Sequence, residues 1–339
     1  MNDISTQNTP IQNQGNKLNF EFRGDGMEYF KIWIVNVLLS VITLGIYSAW
    51  ATVRNNRYFH SNLYLDNTNF RYLAEPMAIL KGRLIAIGAF ILLSVVAQLF
   101  PLVGAALYIG LIFTMPYFVN MSLAFSHRMS SYNNIQFRFK ASYGEAFMAL
   151  FVWPLLGLIS LGILYPLAFV KMNQYVVNNS SYGTSKFAFN ASYKDYGVIF
   201  LTMIGVGLVL GLPAWAVGFY LPSLAFISPI FMGFVYLGLF LYFTVQTTGL
   251  FYRSTTLLDH GFEANLTMQG LAKVILINVL LTIVTAGLYL PAAKVRMTKY
   301  MCSCIKMNAT GSLDNFAAAE KENISALGEE FGQVFDFAM

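Results

Sequence analysis

The sequence of 339 residues has very few charged side chains, and two long segments have none. Only 11% of the residues are Asp, Glu, Lys or Arg, whereas soluble domains carry about 25%. Residues 84–126 and 197–252 contain no charge, and each is about twice the ~20 residues that cross a bilayer as a helix. Because Pro101 and Pro222 lie near the middle of these segments, each segment predicts a transmembrane helical hairpin. The chain is therefore predicted to be a polytopic membrane protein.

Cysteine and histidine are equally scarce, which limits the chemistry that the chain can perform. The two cysteines, Cys302 and Cys304, lack the spacing of a disulfide framework or a metal site. The three histidines are His60, His127 and His260, and none has neighbours at metal-ligand spacing. A nucleophile–base pattern is also missing. We therefore expect no enzyme activity, no cofactor and no metal.

The basic residues that flank the two uncharged segments indicate their orientation. They lie at the outer ends of the segments, and none lies at the Pro101 or Pro222 turn. The positive-inside rule then places the basic ends in the cytoplasm and both turns outside. The flanking residues are Lys81, Arg83, Arg128, Lys194 and Arg253. Orientation explains the net positive charge, so we expect no nucleic-acid partner.

A glycine-centred pattern occurs three times, at Gly45, Gly162 and Gly287. Each glycine is followed nine residues later by a basic residue and thirteen residues later by a tyrosine. Asn36 and Asn278 each lie nine residues before their glycine. Apolar composition alone does not reproduce these positions together, so the pattern predicts an internal repeat.

The repeat organises the chain into predicted domains. A membrane domain is expected at residues 19–312, with full units at 20–126 and 137–252 and a truncated unit at 260–312. The Asn- and Gln-rich residues 1–18 predict a disordered polar tail. Residues 313–339 predict an acidic cytoplasmic tail.

Two arrangements of the glycine-centred segments fit their length, which is about one membrane span. If each segment crosses, the chain has seven spans and two inverted units, as many transporters do, but the basic residues fall on both faces. If each segment turns back at its glycine, every Lys and Arg is cytoplasmic. We favour this re-entrant arrangement, in which protein must shield the tip from lipid. A hydroxyl residue precedes each glycine, as Thr43, Ser160 and Thr285.

The polar joints between the apolar segments predict short β-hairpins. Turn-forming residues followed by an aromatic–x–aromatic pattern occur at 66–72, 132–139 and 182–189, with weaker copies at 257–262 and 308–312. Either these hairpins pair into one small sheet under the membrane, or their aromatic residues only anchor the chain at the interface. The predicted fold class is an all-α polytopic membrane protein with short cytoplasmic β-hairpins.

Residues 43–59, continuing through 80–84, resemble the YjgN family of bacterial inner-membrane proteins. The ending at 329–337 is similar to the family's C-terminus, and the resemblance covers nearly the whole chain. Ala49 departs from the pattern, because the family has proline at this position. The later copies keep the proline, as Pro166 and Pro291. The resemblance implies a bacterial inner-membrane location and no activity, since the function of the family is unassigned.

Four polar residues are the candidates for a functional path through the membrane. Glu28 and Glu145 occupy equivalent positions just inside two membrane segments, and acids within membranes often mark ion pathways. The alternative is that both are solvated charges at the interface. Asn36 and Asn278 are expected to face the interior of the helix bundle, either as interhelical hydrogen bonds or along a polar path.

Two functions fit these patterns best, and an intramembrane enzyme, the third hypothesis, is disfavoured because a nucleophile–base or metal pattern is missing. A transporter or channel for a small solute or ion fits the repeat, the interior amides and the paired glutamates. The alternative is a membrane scaffold that presents its cytoplasmic hairpins and acidic tail to other proteins. A transporter should contain a polar cavity that reaches toward Gly45, Gly162 and Gly287, whereas a scaffold should have a filled apolar core. The lipid bilayer is the partner that the sequence indicates, and it identifies no protein partner.

Overall fold

The computed structural model describes residues 16–221, 226–310 and 316–322. Strands alternate along the chain with pairs of helices. The strands are β1 Asn16–Phe22, β2 Leu63–Leu65, β3 Thr68–Tyr72, β4 Ser130–Tyr132, β5 Ile135–Phe139, β6 Ser180–Tyr182, β7 Ser185–Phe189, β8 Thr255–Leu257, β9 His260–Ala264 and β10 Ile305–Ala309. The helices are α1 Gly26–Ile42, α2 Ser48–Ser61, α3 Pro76–Leu99, α4 Pro101–Arg128, α5 Tyr143–Phe147, α6 Trp153–Ile159, α7 Tyr165–Asn178, α8 Tyr193–Tyr220, α9 Ile227–Arg253, α10 Met268–Val284 and α11 Leu290–Cys304, with a π-helical turn at Met148–Val152.

The strands form one closed antiparallel barrel, in the order β1-β10-β9-β8-β7-β6-β5-β4-β3-β2. Closure depends on β1, which pairs with β2 on one side and with β10 on the other. In these pairings Phe20 lies opposite Leu65, and Leu18 lies opposite Met307. Full closure leaves no strand edge exposed.

The predicted all-α fold with short cytoplasmic β-hairpins is therefore wrong. The hairpin turns occur where the polar joints predict them, at 66–67, 133–134, 183–184 and 258–259. An isolated two-stranded hairpin is marginally stable, and here each hairpin gains partners on both of its edges. A turn is a local signal, whereas the pairing of β1 with β10 joins the two ends of the barrel sequence. The local pattern therefore predicted hairpins but not the barrel.

The element order divides into five units, each made of a strand, a helical hairpin and a second strand. Two-residue turns connect one unit to the next, so these turns lie at one end of the barrel and the helices leave from the other. The second helix of each unit packs against the first strand of the neighbouring unit. These contacts are α2 on β3, α4 on β5, α7 on β7, α9 on β9 and α11 on β1.

Two of the five helical hairpins are long enough to span a membrane. In the described part of the chain, α3, α4, α8 and α9 have the length and hydropathy of membrane spans. The α3–α4 hairpin turns at Phe100, beside the predicted Pro101 turn. No residue of α3 is buried, which fits a helix surrounded by lipid. The predicted Pro222 turn lies outside the described residues.

The other three hairpins are the glycine-centred segments, and they turn back at their glycines. In each, the helices before and after the glycine pack against each other: α1 with α2, α6 with α7, and α10 with α11. Helices α1 and α10 have 17 residues each, a length of about 25 Å that falls short of a ~30 Å hydrocarbon core. This geometry is the re-entrant arrangement rather than the crossing one.

The two predicted tails extend into the barrel region where the structure describes them. β1 begins at Asn16, so the last three residues of the predicted polar tail 1–18 are in a strand. Residues 316–322 of the predicted acidic tail are helical. The remainder of both tails lies outside the described residues.

Candidate functional site

Inside the barrel, apolar side chains form a continuous belt. Each unit contributes one phenylalanine from its first strand: Phe20, Phe70, Phe137, Phe187 and Phe262. Each unit also contributes the residue directly opposite on its second strand: Leu65, Tyr132, Tyr182, Leu257 and Met307. Alternation along a strand directs these side chains to the same face of the sheet. Together they make the interior of the barrel its main apolar core.

The two tyrosines of the belt add little polarity to the interior. The Tyr132 hydroxyl donates to the Leu65 carbonyl over 2.9 Å, and the Tyr182 hydroxyl donates to the Tyr132 carbonyl over 3.0 Å. Burial raises the pKa of the Tyr182 phenol far above its ordinary value, so the phenol stays neutral. Because both hydroxyls are engaged with backbone, the belt offers apolar surface to a ligand.

The belt surrounds a cavity of about 420 Å³, which lies within the range of about 300–1,000 Å³ typical of small-molecule sites. At the end nearest the helices, the cavity is bounded by the final turns of α4, α7 and α9. These turns contribute His127, Val177 and Tyr252. The cavity therefore reaches from the barrel interior to the bases of the membrane helices.

His127 is oriented by two polar contacts at this end of the cavity. Its Nδ1 lies 2.8 Å from the Leu123 carbonyl oxygen, and its Nε2 lies 3.0 Å from Ser180 Oγ. A carbonyl only accepts, so Nδ1 carries the proton in the neutral ring, and the single Ser180 hydroxyl proton is shared between Nε2 and the Val176 carbonyl oxygen. A second pair has the same form, with His60 Nε2 3.2 Å from Ser130 Oγ. Because this second pair recurs in the neighbouring unit, both pairs serve to join adjacent units.

The opposite end of the cavity is closed by the helical residues 316–322. Phe316 and Ala317 line the cavity. The Phe316 ring stacks on Tyr182 with centroids 6.0 Å apart and meets the His260 ring edge-on at 4.9 Å. Glu320 accepts hydrogen bonds from the Thr184 backbone N–H and, over 2.8 Å, from Ser185 Oγ. This segment spans the end of the barrel where the hairpin turns lie.

The two predicted acidic site residues lie at helix starts. Glu28 follows Asp25, which caps α1 by accepting from the Met27 and Glu28 backbone N–H groups. Glu145 forms a capping box with Ser142, whose backbone N–H and hydroxyl donate to the carboxylate over 2.7 and 2.9 Å. Among the described residues, no hydrogen bond or ion pair joins the two glutamates or links them to Arg54 or Lys171.

The predicted amides each connect the two arms of one glycine-centred hairpin. Asn36 is 3% exposed, and its Nδ2 donates to Asn55 Oδ1 over 3.0 Å. Asn278 is 9% exposed, and its Nδ2 donates to the Ala293 carbonyl over 3.1 Å. Both Oδ1 atoms are buried without a described hydrogen-bond partner. The amides thus lie within their own hairpins, one in the first unit and one in the fifth.

The three predicted glycines occupy the same backbone conformation at their hairpin tips. Gly45, Gly162 and Gly287 have φ values of 90°, 95° and 91°. The hydroxyl that precedes each glycine secures the turn, as Thr43 illustrates. Its Oγ1 donates to the Leu39 carbonyl over 2.7 Å and accepts from the Tyr47 N–H over 2.9 Å. Ser160 and Thr285 make the corresponding contacts.

Sequence reasoning identified the tips but missed the barrel cavity. The predicted hairpin patterns contain the belt residues Phe70, Phe137, Phe187 and Phe262, but locally they indicate only hairpins or interfacial anchoring. One aromatic pattern per unit, counted over five units, is the signal that could have indicated a closed sheet with aromatic side chains on its inner face. The described residues contain no group of three His, Cys, Asp or Glu side chains that could hold a metal ion.

Comparison with known proteins gives one family match. Residues 17–334 match the family model described as "Bacterial protein of unknown function (DUF898)". No solved structure matches the chain.

Curated relatives are similar over about half of the chain. A protein of Salmonella typhimurium named "Inner membrane protein YjgN" is 30% identical over 192 residues, which cover 56% of this chain and 45% of the relative. A protein of Escherichia coli O157:H7 with the same name is 31% identical over 164 residues, covering 48% of this chain and 40% of the relative. The match therefore spans less than half the length of each of these relatives.

Proposed function

The chain belongs to the DUF898 family of bacterial proteins, and we propose that it binds the apolar part of a membrane-derived molecule inside its barrel. It is a multi-pass protein of the inner membrane, in agreement with its four long apolar helices and with the names of its relatives. The sequence suggests a transporter of a small solute. In this proposal the solute is apolar or amphipathic, and the protein is its carrier.

The observation that carries the proposal is the cavity of about 420 Å³ inside the barrel. Its belt is apolar in all five units, and its tyrosine hydroxyls are already hydrogen-bonded to backbone. A cavity of this composition favours hydrocarbon over water or ions. An ion transporter requires a polar path toward the glycine tips, and the depression beside Asn36 and Asn55 in the first hairpin is smaller, at about 310 Å³.

The position of the cavity favours a ligand that arrives from the membrane. Lys81, Arg83 and Arg128 lie at the barrel end of the α3–α4 hairpin, and the Phe100 turn carries no charge. The positive-inside rule then puts the barrel in the cytoplasm, directly under the inner leaflet. The cavity reaches the bases of the helices, while the helical residues 316–322 close its far end. An acyl or isoprenoid chain could then enter end-on from the leaflet.

The predicted internal repeat is part of the proposal, in a five-unit form. Each unit supplies one belt phenylalanine and one opposing residue at matching positions. Three units carry short hairpins with a glycine tip, and two carry membrane-spanning hairpins. We infer that five related units surround one common ligand site.

The test is photo-crosslinking in inner-membrane vesicles with a fatty acid that carries a diazirine near the end of its chain. We expect labelled peptides from the barrel strands around Phe137 and Tyr182. Leu65→Trp, which fills the cavity, should reduce that labelling at least tenfold. Leu92→Trp is the matched control, because Leu92 is exposed on α3, and it should leave barrel labelling unchanged.

Two results would contradict the proposal. One is labelling confined to the membrane helices, with none in the barrel strands. The other is barrel labelling that Leu65→Trp does not reduce although the variant remains folded in detergent. Either result would favour the scaffold alternative, in which the barrel interior is only a structural core.

A further inference from the structure

A second concave site lies on the outer surface of the barrel, separate from the cavity inside it. Strands β3, β4 and β5 are neighbours, and their outward residues alternate with the inward belt. Arg71 lies directly opposite Ser131, and Ser131 lies directly opposite Gln136. Arg138 lies two residues beyond Gln136 on the same face of β5. These side chains border a small depression of about 220 Å³.

Within the described part of the chain, the two arginines at this depression have no carboxylate partner. Ion pairs among the described residues are Lys17 with Glu263 and Arg23 with Glu21. Arg23 is also on the outer side of the barrel, so its pairing with Glu21 at 2.9 Å is the pattern expected for a structural surface arginine. Arg138 makes no hydrogen bond or ion pair with any described residue, and Arg71 donates only to a neutral amide.

Arg71 is held in place at the edge of the depression. Its Nη1 donates to Asn134 Oδ1 over 2.9 Å, which directs one side of the guanidinium and leaves its other N–H groups available. Arg138 approaches from the other side of β4. Strands in a sheet lie about 4.8 Å apart, and Arg138 is two residues along β5 from Gln136, the residue in line with Arg71 and Ser131, so the two arginines border the depression from different strands.

Ser131 places a small polar side chain at the depression, between the two strands that carry the arginines. It is 2% exposed, borders the depression, and its hydroxyl makes no hydrogen bond to a described residue. In contrast, two serines at the helix ends of the same barrel donate to backbone, Ser130 Oγ to the Ser126 carbonyl and Ser180 Oγ to the Val176 carbonyl, whereas the Ser131 hydroxyl is available to a ligand.

We propose that Arg71, Ser131 and Arg138 form a binding site for a phosphate group on the cytoplasmic face of the barrel. Guanidinium groups bind phosphate oxygens with two parallel hydrogen bonds each, and the Ser131 hydroxyl donates to a further oxygen. The Asn134 and Gln136 amides border the same depression. The group belongs either to a free phosphorylated molecule or to a phospholipid headgroup, and its chemistry is the same in both cases.

Calorimetric titration of the full-length protein in phosphatidylcholine nanodiscs with inorganic phosphate tests the proposal. We expect saturable binding of one phosphate per chain. The double variant Arg71→Gln/Arg138→Gln should weaken it at least tenfold. The charge-preserving variant Arg71→Lys/Arg138→Lys should weaken it at least threefold, because lysine lacks the planar pair of donors.

The matched control is Arg23→Gln, which removes an outer arginine that already has a carboxylate partner and should leave phosphate binding unchanged. Ser131→Ala tests the hydroxyl and should weaken binding about threefold. Circular dichroism of each variant establishes that it is folded, so that loss of binding is not read from unfolded protein.

Three results would overturn the proposal. They are the absence of saturable phosphate binding, wild-type binding by the glutamine double variant, and displacement of phosphate by chloride at equal ionic strength, which would indicate a nonspecific positive surface.

A second experiment distinguishes the sources of the phosphate group. Phosphatidate incorporated into the nanodiscs should compete with free phosphate if the site takes a headgroup, and should leave binding unchanged if it takes a free molecule.

Discussion

At the residue scale, Glu320 is the side chain that attaches the C-terminal helical segment to the barrel. It is 2% exposed and accepts hydrogen bonds from Thr184 and Ser185. Burial raises the pKa of its carboxyl, but the hydrogen bonds outweigh burial and the net pKa is lowered. The carboxylate lies against Gly183, where an added Cβ would be 2.6 Å from Glu320 Cγ. The ionised form therefore stabilises closure of the barrel.

We predict that Glu320→Gln weakens docking of residues 316–322. Hydrogen bonds to a charged group are stronger than neutral ones by about 1 kcal/mol, so amide protection in this segment should fall about fivefold in hydrogen exchange. Because the pKa is lowered, the ionised Glu320 carboxylate supports docking fully at pH values above the ordinary carboxyl range. This support is lost as the pH falls through the pKa of the docked form. Protection in the wild type should therefore decrease once the pH falls below the ordinary carboxyl range.

Glu322→Gln is the control for this prediction, because Glu322 is exposed and loses the same charge. Gly183→Asn should reduce protection as much as Glu320→Gln does, since asparagine tolerates the φ of 61° at Gly183 while its Cβ displaces the carboxylate. His260 also contacts the segment, through Phe316. An acid-dependent loss that persists in Glu320→Gln would assign the effect to His260 and contradict the prediction.

We expect Glu145 to stabilise the folded protein through its capping box. Glu145→Ala removes the acceptor for the Ser142 N–H and hydroxyl, and we predict a loss of about 1 kcal/mol in the free energy of unfolding. Denaturant unfolding in detergent measures this loss. Glu75→Ala is the control, because Glu75 precedes α3 without a side-chain capping bond and should change stability little. Equal effects of the two variants would contradict the capping role.

At the scale of elements, the glycine-centred hairpins depend on a backbone conformation that other residues rarely adopt. The space around Gly45 and Gly287 is open, with no atom within 4 Å of an added Cβ at Gly45. Overpacking is therefore not the cost of a substitution there. The cost comes from φ values near 90°, which are strained for any residue with a Cβ.

We predict that Gly45→Ala, Gly162→Ala and Gly287→Ala each lower the free energy of unfolding by about 1–2 kcal/mol. Chemical denaturation in detergent measures the change. Gly88→Ala is the matched control, because Gly88 lies inside α3 with no atom near an added Cβ. It should raise stability by about 0.5–1 kcal/mol. Tip variants as stable as the wild type would show that the turns do not need a positive φ.

At the scale of the whole molecule, the barrel and the turn of the long α3–α4 hairpin are expected on different sides of the membrane. Lys81, Arg83 and Arg128 are close to the barrel end of the helices, and the α3–α4 turn is uncharged. The short glycine-centred hairpins end within the bilayer in this arrangement, because their first helices are shorter than its hydrocarbon core.

Labelling of single cysteine variants with a membrane-impermeant thiol reagent tests this topology, since the natural Cys302 and Cys304 are buried. Leu102→Cys, beside the α3–α4 turn, should be labelled from the periplasm. Leu258→Cys, in a barrel turn, should be labelled only from the cytoplasm. Leu44→Cys, at a glycine tip, should be labelled from neither side. Periplasmic labelling of Leu44→Cys would restore the crossing arrangement.

The sequence by itself determined the features that depend on residues close together in the chain. Uncharged length predicts the α3–α4 and α8–α9 spans, because burial of charge in lipid is costly over any stretch of about 20 residues. Gly45 and its equivalents mark turns, because positive φ is a property of one residue. Turn residues such as Asn133 likewise predict each hairpin separately.

Only the tertiary structure decided how the hairpins join and what their joining encloses. Closure requires β1 to pair with β10, and the register between strands so distant in sequence is set by the simultaneous fit of all ten side chains in the belt. Pairing of β3 with β4, which are separated in sequence by the α3–α4 hairpin, brings Arg71 beside Ser131, although no local motif contains both. Glu28 and Glu145 show the converse, since their equivalent sequence positions do not bring them into contact. Spacing along a chain specifies turns and spans, whereas neighbours across a barrel arise from pairing between strands.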